Sequence, residues 1–108
     1  MEKIVDTARL QKLQKSLEAN PTDAFTRYLV ALECVKLHLN DDAIAHFQQL
    51  VNEHPAYVPT YYQYAQLLEN LQRQTQAVAI YQAGLKTARA AGDTHAASEL
   101  QAALDLLV

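Results

Sequence analysis

Residues 19–25, "ANPTDAF", are answered 34 residues later by residues 53–59, "EHPAYVP", and the third residue of each is a proline. Sliding the whole chain by that interval superimposes Pro21 on Pro55, Thr26 on Thr60, Tyr28 on Tyr62 and Ala31 on Ala65. The register continues with Leu37 on Leu71, Ala43 on Ala77, Ala45 on Ala79 and Gln48 on Gln82, and Ile44/Val78, Phe47/Tyr81 and Val51/Leu85 are chemically close. One such match would be chance. Eight identities, spread over the unit and concentrated on small and apolar residues, mark a structural repeat whose copies bury their faces against neighbours.

Each unit reads as two helices. Thr22 or Asp23 caps the first, its acidic charge favourable at a helix N-terminus, and that helix is predicted to run to about His38. Asn40 and Asp41 then break and recap the chain. The next helix carries Ala43, Phe47, Leu50 and Val51 on one face. Pro55 closes the unit, because it supplies no N–H and disfavours helix just before it. The second unit repeats this with helices over about 58–71 and 76–91, joined by the polar turn "QRQT".

Two more helices flank the pair. Residues 3–18 place Ile4, Ala8, Leu10, Leu13 and Leu17 at roughly helical spacing. After Gly92, Asp93 or Thr94 caps a last helix with Ala97, Leu100, Leu104 and Leu107 as its stripe. The expected fold class is all-α, six antiparallel helices with no strand. One domain over 1–108 is expected, divided into an N-terminal helix (3–20), repeat 1 (21–54), repeat 2 (55–91) and a capping helix (93–108). The cap keeps Ser98, Glu99, Gln101 and Asp105 opposite its leucines, as the water-facing end of an array requires.

These residues resemble the tetratricopeptide repeat, a helix–turn–helix unit of ~34 residues. In the second unit Tyr61 fills the family's aromatic slot, Tyr64-Ala65 its Leu-Gly slot, and Ala77, Tyr81 and Gly84 its second helix. The first unit shows Val30-Ala31, then Ala43, Phe47 and Leu50, then Pro55. Small residues at 31, 43, 65 and 77 let backbones approach while larger side chains fill the gaps beside them. The chain departs from the pattern where Arg27 replaces the first aromatic, Cys34 and Leu68 replace a tyrosine, and Arg89 replaces the second closing proline. Arg27 predicts that the first unit's outer end is covered weakly, or only by the N-terminal helix, and Arg89 predicts a helix running on to Gly92. The resemblance implies a right-handed helical solenoid, two repeats with a half repeat before them and a cap after, whose first helices line a concave groove for peptides or a partner helix.

Composition narrows the function further. The chain has 108 residues, half of them apolar, with two Gly, three Pro and a net charge of −3. No Lys/Arg cluster exceeds a pair, so the positive footprint that nucleic acid or an anionic membrane requires is missing. The N-terminal residues form no signal peptide, no apolar run has the length of a membrane span, and the one cysteine makes no internal disulfide. A cytoplasmic protein is expected. Cys34 reads as a small buried hydrophobe before it reads as a reactive thiol.

Chemistry is hard to assemble from these residues. The histidines at 38, 46, 54 and 95 lack the i, i+4 spacing of paired metal ligands, and Asp41-Asp42 opens a helix, where acids belong. No glycine-rich phosphate loop and no activated nucleophile is present. The expectation is therefore no enzyme, no cofactor and no metal. At 100° per residue, Tyr61, Tyr64, Ala65 and Leu68 share the core arc of their helix, and Tyr62, Gln66, Glu69 and Asn70 share the opposite one. On the preceding first helix Val30, Ala31 and Cys34 face the core, and Phe25, Tyr28, Leu32 and Val35 form an apolar outer arc. Tyr28 and Tyr62 would then stand one repeat apart in the groove. Tyr57, at the loop edge, falls to neither arc. Such apolar strips await a protein or peptide partner, a second copy of the chain, or a flanking segment that covers them. The family members that clamp a chaperone's C-terminal carboxylate use Lys, Asn and Arg in the groove, and Tyr28, Leu32, Tyr62 and Gln66 disfavour that ligand here.

Overall fold

The computed structural model describes residues 6–108. Its six helices are α1 (Ala8–Ala19), α2 (Ala24–Lys36), α3 (Asn40–Glu53), α4 (Pro59–Asn70), α5 (Gln74–Ala90) and α6 (Thr94–Asp105), and no strand occurs among the described residues. The chain divides into two compact units, Met1–Leu50 and Val51–Val108, with the boundary inside α3.

In the first unit α1 packs on α2. The expected start of α1 at residue 3, and the placement of Ile4 on its stripe, lie outside the described residues. At its N-terminus the Asp6 carboxylate accepts the Ala8 N–H at 3.0 Å, which fixes the first turn at Ala8. Leu10 and Leu17 are buried, whereas Ala8, expected on the same stripe, is exposed in the first turn. Asp23 is the residue that caps α2. Its side chain accepts the Thr26 N–H at 3.0 Å and the Thr26 hydroxyl as well. Val30, Ala31 and Cys34 on α2 and Ala43, Phe47 and Leu50 on α3 are almost wholly buried, and Val51 is half-buried.

Helix α2 stops at Lys36, two residues short of expectation, because His38 turns into the left-handed region (φ 61°). The Leu39 N–H then reaches back to the Cys34 carbonyl and the His38 N–H to that of Val35, which closes a Schellman motif. In the second unit Gln72 (φ 62°) does the same, with the Arg73 N–H on the Leu68 carbonyl. The two residues are 34 apart, so the repeat extends to the backbone. Neither is a glycine; the polar turn expected from Gln72 onward is in place, and only the first unit's turn begins earlier than expected.

The second unit is a three-helix layer in which α5 packs against both α4 and α6. Gly84 makes this possible. A Cβ there would overlap Tyr61 Cβ on α4 and lie 3.0 Å from Tyr61 Cγ and 3.3 Å from Leu100 Cδ1 on α6. Tyr61 and Tyr64 are buried, as their arc requires, with Ala65, Leu68, Ala77, Tyr81, Leu100 and Leu104. Gly92 (φ 70°) ends α5, and the Asp93 side chain caps α6 by accepting the Ala96 N–H at 3.0 Å. Arg89 extends α5, as expected, and its Nη2 donates to Gln101 Oε1 on α6 at 3.3 Å.

Arg27 is not weakly covered: it is only 8% exposed, and α1, the N-terminal helix, packs on the same helix, in line with the other alternative the sequence left open. Its Nη2 donates to the Pro21 carbonyl at 3.1 Å, and its Nη1 bonds His46 Nδ1 on α3 at 3.0 Å. Tyr61, its counterpart one repeat on, donates its hydroxyl to the carbonyl of Pro55, the counterpart of Pro21. The guanidinium thus performs the tyrosine's task, holding the inter-repeat proline against the first helix. A basic group in the aromatic slot is a substitution of donor, not a gap.

Thr60 shows the reverse case. Its counterpart Thr26 bonds the capping Asp23, but Tyr57 stands at the equivalent of Asp23, and α4 begins with Pro59 and no side-chain cap. The Thr60 hydroxyl is left fully buried without a hydrogen-bond partner. Such a group costs about 1–3 kcal/mol in desolvation. Thr60→Val keeps the shape and removes the hydroxyl, so it is expected to stabilise the protein by about 1 kcal/mol. Chemical denaturation with an unchanged m-value would register the gain, and Thr60→Ser should give none.

Candidate functional site

The residues singled out on α4 converge. Tyr62, Gln66 and Glu69 line a cleft of about 280 Å³ whose other wall is Glu99, Ala102 and Ala103 of α6 and Leu106 at its C-cap. Asn70, the last residue of α4, is exposed and does not line it. The polar side of the cleft is organised by Tyr81 of α5. Its hydroxyl donates to Glu69 Oε2 at 2.5 Å and accepts from Gln66 Nε2 at 3.3 Å, and the same Gln66 nitrogen lies 3.4 Å from the Tyr62 hydroxyl. The Tyr62 and Tyr81 rings meet edge to face, with centroids 6.2 Å apart. Burial first, and then the bond to Glu69, push the Tyr81 hydroxyl far above its ordinary pKa, so it remains a donor at any working pH.

In the first unit Phe25, Tyr28, Leu32 and Val35 lie along α2. Phe25 is 56% exposed, and the other three are half-buried. Cys34 is buried, and its thiol is pushed up by burial, then by the charges of Asp42 and Glu33, which suits an inert core residue. His38 is exposed, His54 half-buried, and His95 pairs with Glu99 on α6 at 2.7 Å. His46 accepts from Arg27, and burial together with that positive charge lowers its pKa, outweighing the opposite pull of Asp42. No group of three or more metal-ligating side chains occurs among the described residues. No helix among them is long and apolar enough to cross a membrane.

Comparison with solved structures identifies the family. A tetratricopeptide repeat domain protein from Salinibacter ruber, determined by solution NMR, is 41% identical, with 79% of this chain and 86% of that one covered at a TM-score of 0.76. The chain is a tetratricopeptide repeat protein. A crystal structure of a Salinibacter ruber tetratricopeptide repeat domain protein agrees, at 41% identity, coverage of 76% and 92%, and a TM-score of 0.73. The solution structure of a Bordetella parapertussis protein shares the fold over 99% of this tetratricopeptide repeat chain and 89% of its own, at 20% identity and a TM-score of 0.78. No family model and no curated protein matches. The tetratricopeptide repeat fold is a general scaffold for protein–protein interaction.

What the sequence reading missed lies on α6. That helix was expected only to cap the array, and its Leu100 and Leu104 are indeed buried. Ser98, Gln101 and Asp105 do line an outer hollow with Arg89, but Glu99 turns instead into the cleft beside Tyr62. The signal was present. Glu99, Ala102, Ala103 and Leu106 follow an i, i+3, i+4, i+7 stripe of their own, next to the leucine stripe that drew attention.

Proposed function

We propose that this tetratricopeptide repeat protein is a non-catalytic interaction module that holds a peptide or a partner's helix on the outer faces of its first helices. The observation that supports this most is the cleft. Tyr62, Gln66 and Glu69, read from the sequence as groove residues, line one concave surface with α6. The apolar arc of α2 (Phe25, Tyr28, Leu32 and Val35) offers a second contact surface, in the first unit. Buried Tyr81 fixes Gln66 and Glu69, so a partner meets a preorganised surface and little ordering cost is added on binding.

Affinity capture from the source cell tests the reading. Tyr62→Ala is expected to weaken the recovered partner by at least about tenfold, as truncating a central aromatic contact does. Equal recovery by wild type and a folded variant would contradict it. A second reading, self-association, draws on the exposed ring of Phe25. Light scattering at high concentration decides it: a dimer lost in Phe25→Asp would establish that reading, and a strict monomer would end it.

A further inference from the structure

We infer that the α4–α6 cleft recognises a lysine or arginine side chain carried by the partner polypeptide. This rests on the interaction reading above and specifies its chemistry. The cleft's walls each contribute one carboxylate, Glu69 from α4 and Glu99 from α6, the latter also paired with the exposed His95 at 2.7 Å, and among the described residues no lysine or arginine lines the cleft. Glu69 is held in place from behind by the Tyr81 hydroxyl on Oε2, which leaves its orientation fixed before any partner arrives. Tyr81 is fully buried and stays protonated, so this hold persists across the working pH range.

The remaining surface matches the rest of such a side chain. Ala102, Ala103 and Leu106 give an apolar strip along α6, suited to the methylene stem of lysine or arginine. Leu106 is 88% exposed and has methyl groups to offer. The Tyr62 ring stands at the same cleft, where a cation gains from the negative face of an aromatic ring. Size argues the same way. About 280 Å³ is at the small end for a ligand pocket, room for one long side chain and its head group, not for a helix. The occupant is therefore a basic anchor residue on a segment that otherwise runs over the surface. An acidic anchor would meet two like charges, and a purely apolar one would bring no positive charge to Glu69, held by Tyr81, or to Glu99, paired with His95.

The test is an NMR titration of the isotopically labelled full chain with three small probes: N-acetyl-arginine amide, N-acetyl-lysine amide and N-acetyl-norleucine amide. The two cationic probes are expected to shift the amides of Tyr62, Gln66, Glu69 and Ala103, and to bind roughly five- to tenfold more tightly than norleucine amide. Glu69→Gln keeps an oxygen for Tyr81 and Glu99→Gln lies on an exposed surface, so both variants should fold. Together they are expected to remove the preference for the cationic probes, and added salt should weaken it in the wild type. If norleucine amide binds the cleft as tightly as the cations, the cleft docks side chains but the charge selection proposed here is wrong. If the cationic probes leave the cleft amides unmoved, or shift Phe25 and Leu32 instead, the inference is overturned. The wider interaction reading is judged separately, by the capture experiment with Tyr62→Ala.

Discussion

Gly84→Ala is expected to destabilise the protein by about 2 kcal/mol, even though alanine is the better helix former. Helix propensity alone favours the substitution by about 1 kcal/mol at an interior position of α5. Against it stands the overlap of the new methyl with Tyr61 Cβ. That atom is the root of a side chain, not a flexible end, so α4 and α5 must move apart or Tyr61 must leave its place. Overpacking costs about 1–3 kcal/mol, and a clash with the root of a side chain belongs at the upper end of that range, so about 2 kcal/mol remains after the propensity gain. The methyl also comes within 3.3 Å of Leu100 Cδ1 on α6, the flexible end of a side chain that can shift by a few tenths of an ångström, so the clash with Tyr61 decides the cost. Because Tyr61 holds the Pro55 carbonyl, the displacement should loosen the start of the second unit as well. Thermal unfolding gives the readout. A melting temperature at or above that of the wild type would show that Gly84 is not the point of closest approach.

Arg27→Ala is expected to cost about 2–3 kcal/mol, in the range for losing charged hydrogen bonds. The informative control is Arg27→Tyr. If the arginine substitutes for the tyrosine seen one repeat later, the tyrosine variant should recover most of that loss through a hydroxyl on the Pro21 carbonyl. If Arg27→Tyr is as unstable as Arg27→Ala, the equivalence of the two slots fails.

The same contact sets a pH dependence. His46 accepts from Arg27 only when Nδ1 is unprotonated, and its folded pKa is lowered below the ordinary value near 6.5. The unfolded chain then binds the proton more readily than the folded one. Stability is complete above about pH 6.5 and declines as pH falls from there toward the lowered folded value. His46→Gln should flatten that part of the pH profile, and denaturation midpoints between pH 7.5 and 5 would show it.

The repeat carried most of the fold. Prolines 34 apart, small residues at 31, 43, 65 and 77, and rings beside them define helix pairs from packing alone, and these are positions where an identity has one physical meaning. Helix ends were harder to read. The stop before His38 depends on a left-handed residue that is not glycine and falls two residues early, whereas the polar run from Gln72 and the glycine at 92 mark their ends in the sequence. The role of Arg27 was not legible from its residue type, because the slot asks for a donor that reaches a proline carbonyl and not for a ring. On the candidate site, one helix wheel was enough to put Tyr62, Gln66 and Glu69 on one face. The opposite wall lay out of reach, because Glu99 and Leu106 are 30 to 44 residues away along the chain and only the packing of α6 on α5 brings them beside α4. Tyr81 was visible as a core ring, but the burial that makes it core also aims its hydroxyl at Glu69.

The central claim is that partners dock in the cleft between α4 and α6. Photoreactive p-benzoylphenylalanine placed at position 106, an exposed residue of the cleft, tests it inside the source cell, with position 82 on exposed α5 surface as the control. Covalent adducts to a second protein from position 106, absent or much weaker from position 82, are the predicted result. Adducts of equal yield from both positions, or from position 82 alone, would contradict the account.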